Sequence, residues 1–319
     1  MRNCWPGLER GPSITSTIPR GDFFIRSGRG TRNGLPCFAG ATPGCSGEFP
    51  PGGGGWRRND EKGYIMLGSE LGYRPGAGWL EKIYVKIFGV PINGLRIRLR
   101  RVIPYLTGNP RRILDAGCGR GVFSYYLAKK YPTAEVTGID IDEEQLEINR
   151  QIVNKIKLNN LKFVNCDICN IKYNEEFDLI LSIDNLEHIE NDEIALKNFN
   201  LSLTTGGKLL IHVPNFERRW FFVKFGSNFY VPGHFRVGYS MEEIIEKSKR
   251  NNFIIEYSCY TFGFLENLSN NISYLITKAE AKNASLYAVV FPFLLILSLV
   301  GSLFKPAKGA GIFVILRKK

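Results

Sequence analysis

A chain of 319 residues with 44% apolar content can bury a sizeable core and suits one large domain with appendages, or two small domains. A net charge of +12 would suit a nucleic-acid partner, but the basic residues are scattered rather than gathered in one patch, so no nucleic-acid role is expected. Seven cysteines, an odd number without regular spacing, exclude a disulfide framework and point to a reducing, cytoplasmic setting.

In chain order, residues 1–60 hold eight Arg and no Lys, with 13 of the 34 Gly and 7 of the 16 Pro. This stretch lacks hydrophobic periodicity and cannot bury enough surface to offset its ordering entropy. Residues 1–65 are therefore expected to be a disordered or non-native N-terminal segment, with Met66 a candidate start. A transit peptide is a third option, supported by the scarcity of acids but opposed by the shortage of Ser and the wealth of Gly and Pro. No secretory signal pattern is visible.

Residues 66–106 are expected to form N-terminal helices or a lid. Leu80, Ile83, Tyr84, Ile87 and Phe88 recur at helical spacing between Trp79 and Phe88. Pro91 breaks this helix and Asn93 is a candidate cap for a second. Leu95, Leu99, Val102 and Leu106 line one face of that second helix. Arg96, Arg98, Arg100 and Arg101 occupy the remainder, as a solvated basic face, a lid or a contact with anionic lipid.

Residues 107–319 read as one alternating strand–helix domain. Its organising stretch is Ile113-Leu114-Asp115-Ala116-Gly117-Cys118-Gly119-Arg120-Gly121, a strand that runs through an acid into a glycine-rich turn and then a helix. Glycines there let a ligand lie on main-chain N–H groups at the positive end of the helix. The third glycine of a dinucleotide fingerprint would fall at 122, which is Val122, so the spacing speaks against a nicotinamide-linked oxidoreductase. Further strands are expected over Glu135–Ile141, Leu161–Asn165, Phe177–Ile183, Gly207–Val213, Phe253–Phe262 and Gly311–Leu316. Asp142 is a candidate helix cap, and Ser240-Met241-Glu242-Glu243 reads as a capping box. Asp140 ends the second strand 19 residues after Gly121, where a carboxylate can accept ribose hydroxyls. Cys166 and Cys169 form a lone C-x-x-C and read as ordinary thiols. The element order fits a doubly wound α/β sheet.

The D-x-G-x-G-x-G pattern from Asp115 to Gly121 resembles motif I of the class I S-adenosyl-L-methionine (SAM) dependent methyltransferases, and residues 79–319 look like the small-molecule type of that family. The resemblance implies a seven-stranded Rossmann-like sheet with helices on both faces and an antiparallel last strand. It further implies that Asp115, Gly117, Cys118, Gly119 and Gly121 surround the methionine end of SAM. Asp140 would bind the ribose, Ile141 would pack on adenine, and Asp167 would accept from the adenine amino group beside Ile168. Ser182 and Asp184, ending the fourth strand, would face the sulfonium.

Methyl transfer from a sulfonium draws its reactivity from the cofactor, so the protein must position the acceptor and, for a hydroxyl, supply a base. Of the three His, His212 falls mid-strand and reads as structural. His234, in the loop after the fifth strand and beside Arg236, is the first candidate for a base or substrate contact, with His188 second. Asp184, Glu187 and His188 fall at i, i+3 and i+4, which would place them on one helix face. With His234 they are similar to the acid–acid–His–His metal cluster of some quinone and RNA-terminal methyltransferases, although the reading adopted is metal-free. The expected function is SAM-dependent methylation of a small-molecule or amphiphilic acceptor, with O-methylation favoured. A catalytically silent SAM-binding module of a membrane complex is the alternative.

The insertion at about 264–308 departs from the family pattern and ends in twenty uncharged residues, Ser285–Phe304. As a helix these would extend about 30 Å, enough to span a bilayer core. Lys278 and Lys282 precede the run and Lys305 and Lys308 follow it, so charge gives no orientation. A single crossing would strand the last strand away from its sheet. The expectation is therefore peripheral, monotopic membrane attachment through 284–304, as an interfacial helix or a re-entrant hairpin bent at Pro292 and aided by the basic helix at 95–106, in preference to a helix buried on the domain.

Overall fold

The computed structural model describes residues 67–218, 234–277 and 283–319. The expected disordered segment 1–65, Met66, Lys278 and Lys282 lie outside the described residues. Helix α1 spans Trp79–Phe88 and α2 spans Asn93–Val102, and the sheet domain follows. In chain order it runs β1 (Arg112–Ala116), α3 (Val122–Lys130), β2 (Glu135–Asp140), α4 (Glu143–Ile156), β3 (Leu161–Asn165), β4 (Phe177–Ile183) and α5 (Asp192–Ser202). It continues with β5 (Leu203–Pro214), α6 (Met241–Arg250), β6 (Phe253–Thr261), α7 (Phe264–Thr277), α8 (Ala284–Ser302) and β7 (Gly311–Lys318).

The seven strands form one sheet in the order β3-β2-β1-β4-β5-β7-β6. All neighbouring pairs are parallel except those of β7, which runs antiparallel to β5 and β6. This is the Rossmann-like arrangement implied by the motif pattern. Successive residues of the central strands enter opposite cores, as the period of two requires. Ile113, Leu179 and Leu181 join Phe123, Leu127, Leu146 and Ile152 of α3 and α4 on one face. Leu114 and Ile180 join Leu196, Phe199 and Ile244 of α5 and α6 on the other. Both faces of the sheet are thus covered, which explains the nearly unbroken apolar run of β4.

Local signals decide several boundaries. The Asp142 side chain accepts from Gln145 N at 3.0 Å and opens α4. The Ser240 hydroxyl accepts from Glu243 N at 3.0 Å and opens α6. The Glu243 carboxylate does not close the expected capping box; it binds Arg236 at 2.6 and 2.7 Å instead. Asn93 is not the cap of α2. That position is Ile92, and Asn93 Nδ2 donates to Ser269 Oγ of α7 at 2.9 Å.

The insertion between β6 and β7 is the hairpin α7–α8, and it forms a third apolar cluster with α1. Tyr287, Phe291, Leu294 and Leu295 of α8 pack there with Tyr84, Phe88, Ile272 and Ile276. Gly301 allows close contact: a Cβ at this position would lie 2.9 Å from Glu266 N.

The solvated basic face expected for α2 does not exist. Arg96 and Arg100 are buried, and all four arginines point into protein. Arg96 donates to Phe88 O at 2.5 Å and Arg100 to Ser298 Oγ at 2.7 Å. Arg101 binds the buried Glu266 at 2.8 Å, while Arg98 pairs with Asp184 across the end of the sheet. Burial, with Arg100 nearby, lowers the Arg96 guanidinium to about 10. The helix contacts α7 and α8 through these groups, so its arginines are not available to lipid. The helical pattern was right, but the sequence carried no sign that partners for four cations would arrive from far along the chain.

The Arg101–Glu266 pair predicts a stability effect. Removing one member of a buried pair leaves a charge uncompensated, at a cost of about 3–5 kcal/mol. Glu266→Ala is expected to lower the unfolding free energy by about 3 kcal/mol in urea titration. A loss below about 1 kcal/mol would be that of a surface pair.

Candidate active site

Strands β1 and β4 are neighbours in the sheet, yet the helices that follow them pack on opposite faces. Their carboxyl ends therefore open a crevice, the usual ligand position in such sheets. The turn after β1 is held open by three glycines with φ of +74°, +46° and +72° at 117, 119 and 121. Gly117 N and Cys118 N both donate to Ile139 O at 2.9 Å. A Cβ on Gly117 would strike the Asn185 side chain at 2.4 Å, whereas one on Gly119 would meet nothing within 4 Å. Space for a ligand therefore lies over Gly119.

Asp140 stands beside that space. Its Oδ2 accepts from Gly119 N at 2.8 Å and its Oδ1 from Asp142 N at 3.1 Å, which fixes the carboxylate while leaving lone pairs on both oxygens. The next side chain, Ile141, is 73% exposed. A fixed acid beside an uncovered apolar surface fits a ribose diol and a purine. With the open ground over Gly119, this donor and acceptor set suits SAM.

The other motif residues are placed differently. Asp115 is buried under the turn and accepts from Ser124 Oγ at 2.5 Å, bracing β1 against α3. Burial, reinforced by the Asp140 charge, raises its carboxyl to about 6. Cys118 is buried, and that burial pushes its thiol up and keeps it unreactive. Asp167 accepts from Cys169 N at 2.9 Å and Asn170 Nδ2 at 2.8 Å, capping a short 3-10 turn. Ile168 is drawn into the core, and Ser182 is fully buried at the end of β4.

Beyond the end of β4, Asp184, Glu187 and His188 do not share a helix face. Asp184 has a φ of +48°, and Leu186–His188 is a 3-10 turn before α5 begins at Asp192. Asp184 turns to Arg98 and to His212 Nδ1, and His212 Nε2 lies 2.8 Å from Thr261 Oγ1. Burial opposes its charge, but Arg98 and His212 hold the carboxyl below the usual carboxylate range. His212 is thus part of the scaffold.

Glu187 and His188 instead meet His234. The His188 and His234 rings lie edge-on with centroids 4.3 Å apart. Phe235 N donates to Glu187 O at 3.0 Å, tying the loop to this turn. Among the described residues, Glu187 Oε2 and His234 Nδ1 are buried without a hydrogen-bond partner. Burial, with the Asp184 charge beside it, raises the Glu187 carboxyl well above its usual range. Burial lowers the His234 imidazole to about 4, with His188 and Arg218 adding to the effect. Ligand atoms of Glu187, His188 and His234 lie within 4.8 Å of one another. Of the four residues similar to a metal cluster, three therefore converge, since Asp184 is committed elsewhere. Arg236, which neighbours His234 in sequence, is occupied by Asp192 and Glu243 and stacks on Tyr239 at 3.8 Å.

A family model described as a methyltransferase domain matches residues 109–281, more than half of the chain. The chain belongs to this methyltransferase family. An (S)-tetrahydroprotoberberine N-methyltransferase from Eschscholzia californica is 28% identical over 99 residues, 31% of this chain and 28% of that enzyme. A ubiquinone biosynthesis O-methyltransferase from Coxiella burnetii is 31% identical over 120 residues, 37% of this chain and 50% of that enzyme. The match thus spans half or less of these curated relatives. Among solved structures, phosphoethanolamine N-methyltransferase 2 of Haemonchus contortus in complex with SAM superposes with a TM-score of 0.49 at 20% identity, covering 82% of this chain and 58% of that one. SAM is the cofactor of this methyltransferase domain.

Three contributors escaped the sequence reading. Asn149 reaches from α4 to donate to Gly119 O at 2.7 Å, Asn185 fills the space against Gly117, and Arg98 neutralises Asp184. The one available signal was at Asn149, a polar residue in line with Leu146 and Ile152 on the apolar face of α4.

Asp140→Ala removes a carboxylate able to form two charge-assisted hydrogen bonds. It is expected to weaken SAM binding more than tenfold by calorimetry. Unchanged affinity in a folded variant would remove Asp140 from the ribose site.

Proposed function

We propose that this methyltransferase transfers the methyl group of SAM to a small-molecule or lipid-like acceptor, with a hydroxyl oxygen favoured as the acceptor atom. The observation that carries the acceptor side is the pair of buried, unpartnered atoms Glu187 Oε2 and His234 Nδ1, Glu187 being two residues along from Asn185, which packs on the glycine turn. Native proteins rarely leave such atoms unsatisfied, and a bound substrate polar group supplies what they lack. The relatives named above are N- and O-methyltransferases, which supports an acceptor of this class.

The glycine turn 117–121, Cys118, Asp140 and Ile141 would hold SAM, with Asp115 bracing the turn from below. Asp167, Ile168 and Ser182 would shape the crevice from behind. Bound there, SAM supplies an electrophilic methyl on a sulfonium. The residues of the chain do the rest. His234 stays neutral at physiological pH and takes the hydroxyl proton, while the unpartnered Glu187 Oε2 meets a polar group of the acceptor. The helices of the 66–106 segment act as a lid, locked to the 107–319 domain through Arg98 and Asp184. The protein works in the cytoplasm with a peripheral membrane contact at 284–304, consistent with an amphiphilic acceptor.

Labelled SAM offered with a metabolite extract is expected to yield S-adenosylhomocysteine and a methylated product. A chain that binds SAM and yields neither is a silent module. His234→Ala is expected to lower kcat by about 100-fold and leave SAM affinity unchanged. Because the base must be unprotonated, kcat should stay level as pH falls and decline only near pH 4, rather than near 6.5. Equal losses in kcat and SAM affinity would make the loop structural.

A divalent cation on Glu187, His188 and His234 is a second reading, carried by their ligand atoms converging within 4.8 Å. Full activity in excess chelator is the expected outcome of the metal-free reading. Loss of activity that added metal restores would favour the cation.

A further inference from the structure

Helix α8 is 19 residues long, about 28 Å, with one face packed and one bare. Leu286, Val289, Phe293, Ile296 and Val300 follow one another at steps of three and four, so they form a single stripe. Each is exposed, Phe293 by 70%. Leu303 and Phe304 extend the apolar surface past the helix end. The opposite face is occupied by α1, α2 and α7, through Phe291, Leu295 and the Arg100–Ser298 contact. Strand β7 then returns directly to the sheet. These contacts hold α8 along the domain by one face, and β7 keeps its far end at the sheet.

Helix α1 shows the same division. Trp79, Leu80, Ile83 and Ile87 are exposed, Trp79 by 70%, while Tyr84 and Phe88 turn to α8. Tyr84 Oη donates to Ala288 O at 2.8 Å, so the two helices touch. Of the nineteen large apolar side chains exposed among the described residues, eleven belong to α1, to α8 and to the two residues after it. Monomeric soluble domains seldom expose contiguous apolar patches above a few hundred Å², and larger ones mark a docking surface.

The charges around these residues select the occupant. Lys82 and Lys86 stand exposed on α1 beside its apolar stripe, and Lys305 and Lys308 are exposed just beyond α8. Helix α8 carries no acid, and the one acid of α1, Glu81, is bound bidentately by Arg74 at 2.8 and 2.9 Å. A second copy of the chain would bring lysines against lysines. An anionic bilayer supplies the opposite sign and an apolar interior together, and a Trp beside Lys is the usual furnishing of a membrane interface.

We propose that α1 and α8 together form the docking face of this methyltransferase for an anionic membrane surface, with Lys82, Lys86, Lys305 and Lys308 meeting the headgroups. This deepens the peripheral contact proposed above by assigning its second helix and its lipid charge, and in that sense rests on that reading. It also replaces the arginines of α2, which are buried, with lysines of α1. Because Arg98 and Arg100 on α2 join Asp184 and Ser298, the docking face is bolted to the site, and an amphiphile leaving the bilayer is delivered near it.

The test is co-sedimentation of the full chain with phosphatidylcholine vesicles, with and without phosphatidylserine, in the absence of any acceptor. The chain is expected to sediment with the anionic vesicles and at least tenfold less with the neutral ones. Two double variants, Trp79→Ser with Ile83→Ser and Phe293→Ser with Ile296→Ser, are each expected to reduce binding at least tenfold. Lys82→Glu with Lys86→Glu is expected to remove the preference for phosphatidylserine. All these positions are exposed, so circular dichroism should be unchanged. Wild-type chain that stays in the supernatant overturns the proposal, as does vesicle binding that survives the α1 variants. Concentration-dependent dimers in sedimentation velocity, broken by the same serine variants, would assign the face to a second copy instead. Since no acceptor is present, failure here leaves the turnover experiments to judge the methyl-transfer reading separately.

Discussion

Asp184 is the group around which the carboxyl end of the sheet is assembled. It leaves β4 in a left-handed conformation, so its carboxylate swings under the crevice rather than along the next turn. A carboxylate in such a place is stable only if it is paired, and its partners come from far apart in the chain. Arg98 arrives from α2, His212 from β5, and Thr261 of β6 holds the other nitrogen of His212. Gly311 of β7 lies so close that a Cβ there would come within 2.5 Å of Thr261 Oγ1 and 2.8 Å of His212 Nε2. One half-buried charge therefore ties together the N-terminal helices, the sheet centre and the antiparallel edge.

The same logic extends along α2. A ten-residue helix with four arginines looks like a surface element when read alone. It is buried because the α7–α8 insertion lies over it and provides Glu266, Ser298 and carbonyl oxygens for the guanidinium groups. Arginine suits this role because its planar fork stays charged while making several directed hydrogen bonds. The insertion is thus joined to the domain by charge at one end and by the Tyr84–Phe291 apolar cluster at the other.

What the sequence made legible follows from how locally each feature is determined. The strands and the main sheet helices carry their own periodicity, and Asp142 and Ser240 act on residues three positions away. The glycine turn is equally local, since its positive φ angles are written in Gly117, Gly119 and Gly121 themselves. The packing of Asn185 on Gly117, the reach of Asn149 to Gly119 and the capture of Asp184 by Arg98 depend on segments brought together only by the fold. Helical spacing misplaced Asp184 for the same reason. The i, i+3, i+4 rule presumes a helix, and a left-handed residue followed by a 3-10 turn breaks it.

The two sides of the crevice differ in how their polar atoms are satisfied, and the difference has chemical meaning. Around Gly119 and Asp140 the protein satisfies its own groups, fixing a rigid frame whose spare lone pairs face outward. Around Glu187 and His234 it does not: burial suppresses charge on both, and one atom of each has no partner among the described residues. A rigid, satisfied half suits a cofactor that is the same in every turnover. An unsatisfied half, kept neutral by desolvation, gains most from a polar group that fills it, because each unmade buried hydrogen bond costs about 1–3 kcal/mol until then, and this supports the acceptor side proposed above.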